Sequence, residues 1–182
     1  MRLRHNAVLM EAIILDTVPL SGAYKEVSFH THVNCVWIRF VDDEDDEWVG
    51  VFGCSGHSTP RVTYDSQKQL ALVVVSGAVY LVDVALRKEK WYKEETFGGD
   101  AVFIPNSGEI LFTDYLKIQI WNHAGEVIWT TGRISWDGVT IESFDGRILR
   151  GMLNDLSPKG VPYSFDVATR ELKSSWIYQE PK

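Results

Sequence analysis

Two stretches of the chain hold residue types that do chemistry. His30, His32 and Cys35, followed by Cys54 and His57, supply five potential zinc ligands at local spacings of two and three residues. On a strand, His30 and His32 share one face and Cys35 falls on the other, unless a turn at Asn34 rotates it. Free cysteine is a common small core residue and histidine is common on loops, so all five are read as structural, with no metal or other cofactor expected. Cys54 beside His57 has the composition of a nucleophile and its base, but at i and i+3 of a Gly-rich loop the pair carries little weight without site geometry.

The second stretch is Asp42-Asp43-Glu44-Asp45-Asp46-Glu47, which accounts for six of the seven net negative charges. As a solvated hairpin tip it would prevent edge-to-edge association. As a prong it would dock on a basic surface such as the phosphate-binding cleft of a nuclease. It lacks the alternating ligands and central Gly of a calcium loop. Tyr115, Trp121 and Trp136 have no clear repeat equivalents and are read as a candidate exposed aromatic patch for a protein partner. Asp65, Asp114 and Asp145 have the chemistry of carboxylates lining a propeller mouth, yet each sits in a turn sequence and is read as a turn former. No Gly-x-Ser-x-Gly elbow and no phosphate-cradling Gly loop occurs, so no catalytic residue is assigned.

The elements that must position these residues are strands. Short runs rich in Val, Ile, Tyr, Phe and Trp alternate with turn residues such as Asn106-Ser107-Gly108, Asp145-Gly146 and Pro158-Lys159-Gly160. With 182 residues, 45% hydrophobic and 12% aromatic, the chain has ample core material for a single domain spanning 1–182. A formal charge of −7 repels a phosphate backbone, which argues against nucleic acid. The apolar run near the start is broken by Glu11 and no stretch approaches the ~20 residues that span a bilayer, so a cytoplasmic protein with no membrane partner is expected.

Three stretches share one grammar: VYLVDVALRKEKW from Val79, IQIWNHAGEVIW from Ile118 and YSFDVATRELKSSW from Tyr163. Asp83, Asn122 and Asp166 close one strand, Ala85, Ala124 and Ala168 follow, and Trp91, Trp129 and Trp176 sit in or after the next. WIRFVDDEDDEW, with Asp42 and Trp48, is a weaker copy. The Asp or Asn positions are 41, 39 and 44 residues apart, near the length of one four-stranded propeller blade. The side-chain oxygen is placed to bond turn amides, and the Trp to cover the seam between neighbouring sheets.

At these positions the chain resembles the β-propeller repeats of the WD40 and quinoprotein-like superfamilies, whose blades carry a similar hydrophobic-x-hydrophobic-Asp-x-Ala-Thr-Gly turn followed by Trp. The resemblance runs from Val27 to Trp176. It departs in lacking the Gly-His dipeptide, in keeping the turn Gly only at Gly125, and in having Arg170 at that place in the last unit. It implies an all-β fold of about four antiparallel four-stranded blades of ~40 residues (units near 8–60, 61–99, 100–137 and 138–178), either a small closed β-propeller or an open propeller-like array. Such folds without catalytic motifs serve as binding platforms. The expectation is therefore a non-enzymatic protein-binding module, with a homodimer compatible with it. In its sharpest form it is a bacterial immunity protein whose acidic run and aromatics occlude the basic active site of a toxin domain. The alternatives are a small lactonase-like propeller hydrolase using carboxylates and a metal, and a structural adaptor in a homo-oligomer.

Overall fold

The computed structural model describes residues 11–31, 34–41, 46–56, 59–96 and 99–179. Among these the chain is all-β, with sixteen strands and no helix, hence none long and apolar enough to cross a membrane. Four sheets of four strands result. Sheet A comprises β1 (Glu11–Ile14), β2 (Lys25–Phe29), β3 (Asn34–Val41) and β4 (Glu47–Cys54); sheet B, β5 (Arg61–Asp65), β6 (Leu70–Val75), β7 (Gly77–Asp83) and β8 (Lys88–Thr96). Sheet C comprises β9 (Asp100–Phe103), β10 (Ile110–Thr113), β11 (Ile118–Trp121) and β12 (Val127–Thr130); sheet D, β13 (Val139–Phe144), β14 (Ile148–Leu153), β15 (Val161–Asp166) and β16 (Glu171–Ser174). The strand β5 is absent from the apolar runs because its Arg, Thr and Asp dilute the pattern.

Sheets B, C and D run in chain order, each strand beside its predecessor. Their third and fourth strands are joined as the repeat grammar requires. Asp83 Oδ1 accepts the Leu86 N–H (3.0 Å), Asn122 Oδ1 those of Ala124 and Glu126 (2.9 and 3.0 Å), and Asp166 Oδ1 those of Ala168 and Thr169 (2.9 and 3.3 Å). One short acceptor at the strand end satisfies amides that the tight turn leaves unpaired, which is why Asp or Asn stands there. The left-handed residue that follows is Gly125 in sheet C (φ 78°), but Arg87 in sheet B (φ 52°) and Arg170 in sheet D (φ 62°). An L-residue there costs about 1–2 kcal/mol relative to glycine's freedom.

Sheet A corrects the expectation of an antiparallel blade. Its order is β1-β3-β4-β2, and β2 runs parallel to β4, with Lys25 beside Trp48 and Phe29 beside Phe52. β2 ends at Phe29 on one edge of β4 and β3 starts at Asn34 on the other, two strand spacings or about 10 Å apart. His30, just after β2, has φ 43°. The strand β4, buried from Trp48 to Cys54, pairs with β3 on one edge and β2 on the other. Trp48 thus lies in an interior strand, unlike Trp91 and Trp129 on the outer strands β8 and β12. The Asp42 of this weaker copy lies outside the described residues.

The chain divides into two compact units, 1–92 and 93–182. The core of the first is a run of rings from sheets A and B. Phe40 stacks on Trp48 (4.6 Å), Phe29 stacks on Phe52 (5.0 Å), Phe52 meets Tyr80 edge-on (5.1 Å), and Tyr80 leans on Tyr92 (4.9 Å). Gly50 makes room for them, since a Cβ there would stand 2.5 Å from the Phe52 ring. In the second unit, Leu111, Ile118 and Ile120 of sheet C pack with Leu149, Leu153, Tyr163 and Phe165 of sheet D. Trp129 stacks on Phe165 at 5.1 Å, across the seam between those two sheets. Trp176 packs against the same cluster. Sheet D buries only that face; on the other, Arg150 and Pro162 are exposed and Ile148, Met152 and Ser164 half-buried.

Candidate functional site

The described zinc-type residues, His30, Cys35 and Cys54, do not form a metal site among themselves. The register sets Cys54 opposite Asn34 and Cys35 opposite Gly53, so the two thiols project from opposite faces of sheet A. His30 stacks on Tyr92 at 3.9 Å and places Nε2 3.0 Å from Glu89 Oε2. His32 and His57 lie outside the described residues. Among the described residues no three of His, Cys, Asp and Glu come together as a metal site would require. Burial pushes the Cys54 thiol up, away from the thiolate a nucleophile needs.

The acidic run is described only at its end, Asp42, Asp43, Glu44 and Asp45 lying outside the described residues. Asp46 bonds the Arg87 guanidinium and stands 3.5 Å from Lys25 Nζ; the Arg87 bond holds its carboxyl below the usual range. Glu47 faces Arg39 at 3.7 Å. Both carboxylates therefore hold cations of their own chain.

The three turn aspartates each accept two amides: Asp65 from Gln67 and Lys68, Asp114 from Leu116 and Lys117, Asp145 from Arg147 and Ile148. In Asp145 these bonds, the Ile148 amide foremost, and Arg150 hold the carboxyl down to about 2. All three are occupied locally, at the ends of different strands.

The aromatic trio is divided. Trp121 is 2% exposed, which corrects its expected place on a surface patch. Its ring stacks on Phe112 (4.4 Å), and its indole N–H donates to Gln119 Oε1 (2.7 Å), so the one polar atom of a core Trp is satisfied from two residues away. Tyr115 and Trp136 are exposed, at 41% and 40%.

What surrounds them is set by the segment 132–138 linking β12 to β13. Leu116 O accepts the N–H groups of Ile134 and Ser135, Tyr115 O that of Gly138, and Ile134 O that of Tyr178; Trp136 N–H donates to Asn154 O. The fully buried Ser135 hydroxyl lies 2.6 Å from Gly138 O and 3.0 Å from Asn154 O, and accepts the Asn154 N–H. A link with its backbone satisfied on both sides is a stiff one. It ties the backbone of Tyr115 and Leu116 to that of Ile134–Gly138; Tyr115, Leu116, Trp136 and Ile177 are all exposed.

Beside them Trp136, Ser175, Trp176, Ile177, Tyr178 and Gln179 line an open cleft of about 400 Å³. Trp136 meets Tyr178 edge-on at 5.0 Å. The Arg133 guanidinium lies 4.1 Å from the Tyr178 ring centre and 5.2 Å from that of Trp136, and donates from Nε to Ser135 O and from Nη2 to Trp136 O. Sequence reading missed Arg133, Ile177 and Tyr178. The one available signal was an arginine and a tryptophan within a segment bracketed by Gly132 and Gly138.

No protein-family model matches the chain, and neither does any curated protein.

Proposed function

We propose that this chain is a non-enzymatic protein-binding module whose contact surface is the aromatic and apolar rim around the 132–138 link. The carrying observation is that exposed Trp136 and Ile177 line one cleft, and that exposed Tyr115 and Leu116 are hydrogen-bonded through their backbone to the link that carries Trp136. Large apolar side chains gathered on a surface mark interaction sites far better than scattered ones, and aromatics held in place lose little entropy on binding. The acidic run supports docking less, because Asp46 and Glu47 are already engaged by Arg87, Lys25 and Arg39. The sheets are read as propeller-like blades, B, C and D each with their strands in chain order.

The test compares proteins retained from the native lysate by the wild-type chain and by Trp136→Ser combined with Ile177→Ser. Both side chains are exposed, so the variant should keep the wild-type melting temperature within a few degrees. A specific partner held by wild type and lost by the variant is the expected result. Equal retention by the two would overturn the assignment of the surface.

A further inference from the structure

Building on that surface, we infer that the partner's anchor is an acidic side chain next to an apolar one, its carboxylate taken by Arg133. Five of the six other described arginines make the contrast. Arg39, Arg87, Arg147, Arg150 and Arg170 each face a carboxylate of the chain: Glu47, Asp46, Asp166, Asp145 and Glu109. Arg133 makes no ion pair among the described residues; it is oriented by two backbone carbonyls and laid against two rings.

A guanidinium has five N–H donors, and those two carbonyls use two of them. The remainder, including both hydrogens of Nη1, belong to an exposed residue. Among the described residues no carboxylate pairs with it, two carbonyls orient it, and it adjoins an aromatic cleft. Such a group binds a carboxylate through charge-assisted bonds with little ordering cost, while Trp136, Ile177 and Tyr178 offer apolar area to the neighbouring side chain. A chain-terminal carboxylate is captured by converging backbone N–H groups. Here the backbone atoms that meet Arg133 are carbonyl oxygens, which favours a side-chain carboxylate within an extended segment.

The probe is a set of capped twelve-residue peptides, each with a central Glu or Asp beside Leu, Ile, Phe, Tyr or Trp. Each is matched by its Gln or Asn counterpart and by a version in which the only carboxylate is the free C-terminus. Binding to the full chain is followed by shifts of the Trp136 indole resonance and by titration. At least one acidic peptide should bind with its affinity reduced tenfold or more both by the amide replacement and by Arg133→Gln, and several-fold by Arg133→Lys, which keeps the charge but not the fork. Equal binding of acid and amide peptides, unchanged affinity in Arg133→Gln, preference for the free terminus, or no carboxylate-dependent binding at 1 mM peptide would each overturn the inference. The docking surface itself stands or falls separately, on whether Trp136→Ser with Ile177→Ser releases the lysate partner.

Discussion

The two units use the same hairpin in different surroundings. In the first, Arg87 takes the left-handed place after the Asp83 turn and bonds Asp46, which precedes β4 of sheet A. In the second, Arg170 takes the same place after the Asp166 turn and reaches toward Glu109, which precedes β10 of sheet C. Each is an arginine where glycine would relieve strain, and each spans from one sheet to the sheet before it. The outcome differs. Arg87 is closely bonded, with Lys25 joining the pair, whereas Arg170 Nη2 stays 3.9 Å from Glu109 and its buried Nη1 finds no partner. The local turn is thus written into the hairpin, while the benefit of its strained arginine depends on what the neighbouring sheet presents.

The cores differ as well, and the largest effects should come from them. Phe52 in the first unit touches three other rings, and Phe165 in the second stacks on Trp129; both are fully buried. Phe→Ala at either site should cost about 3–5 kcal/mol in urea unfolding, with Phe52→Ala the costlier because more ring contacts are lost. A larger loss at Phe165 would show that the ring count is the wrong measure of the two cores.

The arginine turns give a smaller effect that splits in sign. Arg170→Gly removes backbone strain and a buried unpaired nitrogen at the loss of a stretched ion pair and of a guanidinium 5.8 Å from the Trp129 ring centre, so it should stabilise only slightly, by less than about 1 kcal/mol. Arg87→Gly removes similar strain but strips Asp46 of its principal partner, so its melting temperature should fall below that of Arg170→Gly. The same direction and size of change in both would erase the distinction between the clasps.

Acid should produce the mildest difference. Asp145 in the second unit and Asp46 in the first both have depressed pKa values, from the Ile148 amide and the Arg87 guanidinium respectively. A carboxylate with a lowered folded-state pKa contributes stability above its unfolded value, near ~3.9, and loses it as pH falls through the folded one. For Asp145 that window extends down to about 2. Asp145→Asn keeps an amide-capping oxygen, so melting temperature measured from pH 5 to 2 should fall less steeply than in wild type. An unchanged slope would mean that the Asp145 bonds do not persist in solution.

Hairpins were legible in the sequence because their causes are local. An acceptor at Asp83, Asn122 or Asp166 meets amides two to four residues on, and the tryptophan of the next strand falls where Trp129 meets Phe165. Sheet A was not legible, since nothing in Lys25–Phe29 tells whether it pairs with β3 or passes it for β4. Trp121 was misplaced because exposure was judged without Gln119 as its hydrogen-bond partner or Phe112 as its stack. Arg133 escaped notice for the same reason: its two carbonyls are close in sequence, but the Tyr178 ring is brought to it only by the packed end of the chain.

The pairing of β2 with β4 bears on the order in which the protein can assemble. In sheets B, C and D every strand after the first finds a partner in the one made just before it. In sheet A neither early strand does: β1 waits for β3 and β2 for β4. As the chain is synthesised, Glu11–Ile14 therefore stays unpaired until Asn34–Val41 has emerged, and Lys25–Phe29 until Glu47–Cys54 has. Of these two strands β2 is the later to pair, and until then Val27 and Phe29, later part of the core, stand open to chaperones or to wrong neighbours.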